Sequence, residues 1–163
     1  MILLIDVFYN AEFKQVYQRL SELFRRPKKR KHMKSENQDS LFLSRRRLLV
    51  NIQYESSRAG LNTQVILGLI EVESAFRQYA ISGVGARGLM QVMPFWKNYI
   101  GNPSHNLFDI RTNLRYGCTI LRHYNNIEKG NIVRALARFN GSLGSNKYPN
   151  AVLGAWRNRW QWG

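Results

Sequence analysis

Residues 73–94 read ESAFRQYAISGVGARGLMQVMP, a glutamate followed by a loop that glycines interrupt. The glutamate continues an apolar stripe at helical offsets of 0, 3, 4 and 7, formed by Ile66, Leu69, Ile70 and Glu73. A carboxylate on such a stripe is at least partly buried, and burial raises its pKa. The pattern therefore predicts a raised pKa for Glu73, which is what a carboxyl group needs in order to act as a general acid near neutral pH. Periodicity alone leaves one alternative open, an inward-facing glutamate paired with an arginine.

The helix that carries this stripe has a recognisable start. Asn62 is a candidate N-cap, and Leu61 and Ile66 flank it at the spacing of a hydrophobic staple. We expect the helix to run to about Tyr79. Glu71 points about 200° round the helix from the glutamate on the stripe, so it is predicted to be a solvated surface group.

The rest of the chain is dominated by helical patterns. A helix is expected over residues 41–59, with Gly60 at its C′ position. Further helices are predicted at 110–127, 131–139 and 149–160, whereas strand patterns are scarce. The single cysteine, Cys118, falls on the apolar face of one of these helices and is predicted to be a small core residue. The sequence is therefore mainly α.

The first forty residues differ in character from the remainder. An amphipathic helix is predicted over residues 8–24, and Pro27 ends it. Residues 25–34 are rich in lysine and arginine, and the repulsion between these charges predicts a solvated linker. The polar residues 35–40 extend this linker. We therefore expect an arm at 1–40 and a folded domain at 41–163.

Composition restricts the partners rather than the fold. Lysine and arginine outnumber aspartate and glutamate by 25 to 10, which favours anionic partners such as nucleic acid, acidic membrane or a cell-wall polymer. The three histidines lack the spacing of metal ligands, so no metal is expected. No apolar run reaches the length of a transmembrane helix, and no recognisable secretion signal opens the chain.

Residues 73–94, together with two later segments, resemble the sequence signature of a known family. Glu73-Ser74-Ala75-Phe76, followed by residues 82–94, resembles the signature of the SLT-type lytic transglycosylases, Glu-Ser-x-Phe and then S-x-x-G-A-x-G-L-M-Q-x-M-P. Residues 137–142, ARFNGS, are similar to the family's A-x-Y-N-x-G segment, with phenylalanine in place of tyrosine. Tyr148 stands where the family has an active-site tyrosine, although Pro149 follows it and the residues just before it depart from the family pattern.

The resemblance covers about residues 60–160 and implies both a fold and an activity. The implied fold is that of goose-type lysozyme, a lysozyme-like α-helical domain that here follows a basic helical N-terminal arm. Glu73 is implied to protonate the oxygen of the MurNAc–GlcNAc β-1,4 bond of bacterial peptidoglycan. The same residue then acts as a base on the C6 hydroxyl of MurNAc, which attacks C1 and leaves a 1,6-anhydro end. The N-acetyl oxygen of the substrate stabilises the intermediate charge, so a second carboxylate and a cofactor are not needed.

The same resemblance implies a set of substrate-binding residues. Ser82 and the loop from Gly83 shape the subsite beside the acid, and Tyr148 hydrogen-bonds Glu73 or orients the N-acetyl group. Three further residues are implied to line the sugar cleft, namely Gln91, Met93 and Asn140.

Two other functions stay open from sequence. A goose-type lysozyme hydrolase would need a second carboxylate to hold water, for which Asp109 is the candidate. A non-catalytic peptidoglycan-binding module would not need Glu73. Nucleic acid is not expected as a partner, because no nucleic-acid motif is present. Residues 25–34 are instead a candidate peripheral contact with anionic membrane or wall polymer. The implied function places the chain in the bacterial cell envelope, the periplasm.

Overall fold

The computed structural model describes residues 11–23 and 36–162, and these ranges are mainly helical. The helices are α1 Ala11–Leu23, α2 Glu36–Arg58, α3 Thr63–Ser74, α4 Trp96–Ile100, α5 Ile110–Ile127, α6 Ile132–Asn140 and α7 Lys147–Ala155, and a π-helical turn, Trp156–Trp160, follows α7. Within these ranges β-structure is limited to isolated bridges that join Arg87 to Ile81 and to Val92. The prediction of a mainly α chain is confirmed. Among the helices of the described ranges, none has the length and apolar character needed to cross a bilayer.

The chain divides into two compact units, one that ends at Val50 and takes in the extreme carboxyl terminus, and one formed by Asn51–Gln161. In the first unit, α1 buries Val16 and Leu20, which confirms the predicted amphipathic helix. The basic run at 25–34 lies outside the described residues. Residues 36–40 were expected to be linker, but they form the first turns of α2. The domain boundary near residue 40 stays a prediction.

The second unit begins with the last turns of α2, and the end of this helix forms as Gly60 predicts. Gly60 adopts a φ of +62°, the Gly60 N–H donates to Ser57 O, and the Leu61 N–H donates to Ser56 O, each at 2.9 Å. These bonds form a Schellman motif. The Arg122 guanidinium of α5 also donates to the carbonyls of Ala59 and Gly60, at 2.5 and 3.0 Å. The end of α2 is therefore tied to α5.

Helix α3 is the central element of this unit. The Asn62 side chain caps it by accepting from Gln64 N at 2.8 Å and Val65 N at 3.3 Å, as the sequence predicts. All residues from Val65 to Ile70 are buried, because α3 packs against α7 and the π-helical turn. Gly68 permits this close approach, since a Cβ there would lie 2.8 Å from Val152 O.

The predicted end of α3 near Tyr79 is wrong, because the helix ends at Ser74. Ala75 and Phe76 both have left-handed backbones, with φ of 49° and 60°. Such residues cost about 1–3 kcal/mol each unless their surroundings hold them. Phe76 is buried, and its ring packs edge-on against Trp160 with centroids 5.4 Å apart. The burial of Phe76 thus offsets the strained turn that places Glu73 next to the end of its helix.

The remaining helices complete the core. Helix α5 has the predicted bounds, and it packs on α6, which packs on α7. Cys118 of α5 is fully buried, which confirms its predicted core role, and burial raises the pKa of its thiol to about 12. The helix predicted at 149–160 begins earlier, at Lys147, and changes from α to π geometry after Ala155, so that helical structure ends at the predicted Trp160. Helix α4 was not predicted.

Candidate active site

The Glu73 carboxylate and the Tyr148 phenol meet where α3 ends and α7 begins. The Tyr148 hydroxyl donates to Glu73 Oε1 at 2.5 Å. Tyr148 is the second residue of α7, whereas the helix predicted at 149–160 would have begun just after it. Pro149 follows in the first turn, where a missing N–H costs nothing. The departure from the family pattern at Pro149 is therefore compatible with a tyrosine placed on Glu73.

Burial sets the acidity of this pair. Desolvation raises the pKa of Glu73 above its ordinary value, and the Tyr148 hydrogen bond lowers it by a smaller amount. Desolvation, followed by the nearby carboxylate, raises the pKa of Tyr148 well above its ordinary value. The phenol therefore keeps its proton and stays a hydrogen-bond donor while Glu73 titrates. The predicted rise in the pKa of Glu73 is confirmed.

Glu73 makes no ion pair with any other described residue. The alternative of an inward glutamate paired with an arginine is therefore wrong for this position. It describes Glu55 and Glu128 instead. Glu55 is completely buried among Arg58, Arg111 and Arg115, and Glu128 is bonded by two arginines of α6.

Glu71 is not the solvated surface group that its helical position predicted. Its side chain is 14 % exposed, and it accepts hydrogen bonds from Arg159 Nε at 2.9 Å and Trp160 Nε1 at 2.7 Å. On the same side of the unit, Trp156 Nε1 donates to Gln64 Oε1 at 3.2 Å. These bonds fasten the π-helical turn to α3, and with it the helix that carries Tyr148.

The loop that follows α3 is closed by backbone hydrogen bonds and by one side chain. Arg87 and Val92 exchange two backbone hydrogen bonds of 3.0 Å, and the Gly88 N–H donates to Ala80 O at 2.9 Å. The Gln91 amide nitrogen donates to Gly88 O at 2.9 Å and to Ala80 O at 3.3 Å. Gln91 therefore closes the loop, which leaves its amide oxygen for a ligand. Its role in sugar binding stays a prediction.

The outer turn of this loop is open to solvent. The Ser82 hydroxyl accepts from Ala86 N at 3.0 Å and has its own proton left to donate. Val84 at the tip is 78 % exposed, and a Cβ on Gly83 would meet no atom within 4 Å. The loop thus has room beside Ser82 and Gly83 for a ligand, and their binding roles stay predictions.

The other predicted cleft residues are accessible. Met93 is half-buried, and Asn140 is exposed at the last position of α6, before Gly141 turns the chain in a left-handed conformation with φ of 75°. Their contacts with sugar stay predictions. Leu89 and Met90, which lie between the predicted contacts in the sequence, are buried and belong to the core.

Asn113 organises the loop, and sequence reasoning missed it. This buried residue of α5 accepts from Met90 N and donates to Arg87 O and Leu107 O, each at 2.8 Å. A signal for it existed, because Asn113 shares a helical stripe with the buried residues Tyr116 and Ile120. A polar residue on an apolar stripe calls for buried hydrogen-bond partners.

Comparison with known proteins shows which proteins this chain resembles. Residues 50–152 match the family model of the transglycosylase SLT domain. A membrane-bound lytic murein transglycosylase C from Glaesserella parasuis is 38 % identical over a match that covers 38 % of this chain and 21 % of that protein. The Yersinia enterocolitica protein of the same name is 32 % identical, with 58 % of this chain and 31 % of that protein covered. The chain therefore spans about a fifth to a third of the curated relatives that it matches.

Two solved structures of lytic transglycosylases are also similar to the chain. An inactive variant of the lytic transglycosylase Slt from Pseudomonas aeruginosa is 31 % identical with a TM-score of 0.53, and the match covers 61 % of this chain and 17 % of that one. A 70-kDa soluble lytic transglycosylase in complex with bulgecin A is 25 % identical with a TM-score of 0.52, over 67 % of this chain and 18 % of that one.

Proposed function

The chain belongs to the transglycosylase SLT family, and from this premise we propose that it is a lytic transglycosylase of bacterial peptidoglycan. It cleaves the MurNAc–GlcNAc β-1,4 bond and leaves 1,6-anhydroMurNAc ends, without a cofactor. The observation that supports this proposal best is the partly buried Glu73, whose pKa is raised and whose one partner among the described residues is a phenol that donates to it.

Two successive tasks of Glu73 account for the reaction. As an acid, it gives its proton to the glycosidic oxygen, and the C1–O bond breaks. As a base, it then takes the proton of the C6 hydroxyl while that oxygen bonds to C1. Tyr148 suits both steps, because its hydroxyl stabilises the carboxylate that exists between them. Glu73 ends the cycle protonated, as it began.

The other carboxylates of the second unit favour a lyase over a hydrolase. Asp109 is the N-cap of α5, and its Oδ1 accepts from Thr112 N at 2.8 Å. Glu55, Glu71 and Glu128 are bound by arginines. A hydrolase that holds water with a second carboxylate would have to free one of these groups. The C6 hydroxyl of the substrate needs no such group.

We further propose that the chain acts in the bacterial cell envelope, the periplasm, on glycan strands. The substrate lies there, and the curated relatives are named membrane-bound lytic murein transglycosylases. Ser82, Gly83, Gln91, Met93 and Asn140 are the proposed substrate contacts, together with Tyr148. Residues 25–34 are the proposed contact with anionic membrane or wall polymer.

Mass spectrometry of soluble products tests the activity. Purified peptidoglycan treated with the intact chain is expected to release muropeptides about 18 Da lighter than those with reducing ends, because the attack is intramolecular. Glu73→Gln is nearly isosteric, so it is expected to fold and to lose activity by about a hundredfold or more. Glu22→Gln, at an exposed position of α1, is the matched control.

Each other outcome has a distinct meaning. Reducing ends would identify a lysozyme on the same scaffold. An inactive intact chain that still sediments with peptidoglycan would identify a binding module. Full activity in the Glu73→Gln variant would remove Glu73 as the acid.

A further inference from the structure

Helix α4 and the residue before it present aromatic rings to solvent. The helix has the sequence WKNYI, and none of its residues is buried. Phe95, which precedes it, is 48 % exposed, Tyr99 is 77 % exposed and Ile100 is 41 % exposed. Apolar surface gathered in one place on a folded domain marks an interaction site more often than chance exposure.

The rings form one cluster. The Phe95 centroid lies 5.3 Å from that of Trp96 and 6.2 Å from that of Tyr99, and Trp96 and Tyr99 are 6.3 Å apart. Tyr124 of α5 supports Trp96 from behind, at 6.2 Å and an interplanar angle of 78°. We call Phe95, Trp96 and Tyr99 the aromatic ledge.

Hydrogen bonds fix the segment that follows the ledge. Lys97 Nζ donates to Pro103 O at 2.5 Å, and the Tyr116 hydroxyl accepts from Asn102 N at 3.1 Å and contacts His105 Nδ1 at 2.8 Å. Gly101 lets the chain close on that hydroxyl, since a Cβ there would lie 1.6 Å from it. A preorganised surface loses little conformational entropy when it binds a ligand.

The ledge continues the proposed cleft along the chain. The Trp96 N–H donates to Met93 O at 3.2 Å, so the turn that begins the ledge starts at a proposed sugar contact. Three residues span at most about 11 Å, which puts Phe95 and Trp96 next to that contact. A polymeric substrate that passes Met93 has this surface beside it.

We propose that the aromatic ledge binds the sugar rings of the glycan strand outside the bond that is cleaved. The inference rests on the proposed function for the identity of the polymer. The C–H faces of hexosamine rings are apolar, and they pack on the electron-rich faces of aromatic rings. Membrane-inserting amphipathic helices carry several basic residues on their polar face, whereas α4 has one charged residue, Lys97, whose ammonium donates to Pro103 O. Sugar rings are therefore a better match than lipid.

Binding to intact peptidoglycan in the Glu73→Gln chain tests the proposal without turnover. Replacing both exposed rings, with Phe95→Ala and Tyr99→Ala, is expected to weaken co-sedimentation by about tenfold. Neither ring is buried, so the circular dichroism spectrum and Tm should hardly change. Tyr54→Ala removes a 52 % exposed aromatic from α2 and serves as the matched control. Equal binding by the double variant and its parent would contradict the proposal that the aromatic ledge binds glycan.

A second measurement uses chains with Glu73 intact. The double variant is expected to lose kcat/KM on long glycan strands by about tenfold and to keep its kcat/KM on a short oligosaccharide that spans only the cleaved bond. Equal losses of kcat/KM on both substrates would contradict the proposal that the ledge binds sugars outside the cleaved bond. Failure of the parent chain to form anhydro products would refute the proposed activity, and the sedimentation test would still decide whether the ledge binds glycan.

Discussion

Glu73 and Asn113 are polar residues on apolar helical stripes, and their partners give them different tasks. Asn113 has its oxygen and both amide protons engaged by backbone groups, so it is a fixed support of the loop. Among the residues that the structure describes, Glu73 has a single hydrogen-bond partner, Tyr148, and keeps lone pairs free for a substrate proton. A polar residue on an apolar stripe can thus be predicted from sequence, but its use depends on partners from distant segments.

The Tyr148 hydroxyl should set the pH range of the enzyme. Its hydrogen bond favours the charged carboxylate and lowers the pKa of Glu73, which burial raises. Tyr148→Phe removes that bond, so the pKa of Glu73 should rise further. Because the acid must be protonated to start the reaction, the alkaline limb of the kcat/KM profile should move to higher pH. The plateau should fall by about ten- to a hundredfold, since a hydrogen bond to a charged group is lost.

Profiles of kcat/KM against pH, recorded on peptidoglycan for both chains, measure this shift. Tyr54→Phe removes a hydroxyl from a half-exposed ring of α2 and should leave the profile unchanged. An alkaline limb that stays in place, or moves to lower pH, would contradict the assigned role of Tyr148.

At the scale of elements, the start of α3 was easier to predict than its end. Asn62 caps α3 through its own neighbours, Gln64 and Val65, so the local sequence contains the signal. The end of α3 depends on Phe76 packing against Trp160, a contact between residues that are far apart in the chain. Helical periodicity continued past that point, and only the tertiary contact ends the helix at Ser74.

The same distinction applies to the acidic residues. The family resemblance was sufficient to predict a hydrogen bond between Tyr148 and Glu73, which the structure shows, while the role of Glu73 as the acid stays a prediction. The position of Glu71 suggested solvent, yet Arg159 and Trp160 bind it from the last turn of the unit. Glu55 was not singled out, although it is buried among three arginines of α2 and α5. Long-range ion pairs leave no local pattern in the sequence.

Alanine substitutions of two glycines in the loop after α3 should separate the free-energy cost of backbone strain from that of steric conflict. Gly85 and Gly88 both have positive φ, of 87° and 76°. A Cβ on Gly85 would meet no atom within 4 Å, whereas one on Gly88 would lie 2.4 Å from Asn113 Nδ2 and 2.6 Å from Leu107 O. Gly85→Ala should cost about 1 kcal/mol of unfolding free energy, from its backbone alone. Gly88→Ala should cost about 1–3 kcal/mol more, because Asn113 must move.

Urea unfolding of the two variants, followed by circular dichroism, measures both costs. Gly85→Ala is the internal control for the conformational penalty of alanine at positive φ. Equal losses in the two variants would mean that Asn113 does not hold the loop as described.

At the scale of the whole molecule, positive charge far exceeds the needs of the carboxylates. Glu55, Glu71 and Glu128 bind arginines, but the chain has 25 basic and 10 acidic residues and a net charge of +15. Such an excess attracts anionic surfaces over a distance that salt shortens. The densest part of the excess is the run at 25–34, so a contact with anionic membrane should depend on that segment more than on net charge.

Vesicle co-sedimentation tests whether membrane binding depends on the basic run at 25–34 or on the net charge of the chain. Each basic residue near an anionic bilayer contributes about 1 kcal/mol, so the triple change of Lys29, Arg30 and Lys31 to Gln should weaken binding on the order of a hundredfold. The matched control changes the exposed residues Lys129, Lys147 and Arg157 to Gln, which removes the same charge elsewhere. Binding should require anionic lipid and should weaken as salt rises. Equal losses in the two triple variants would assign the effect to net charge, and binding that ignores lipid charge would remove the membrane contact altogether.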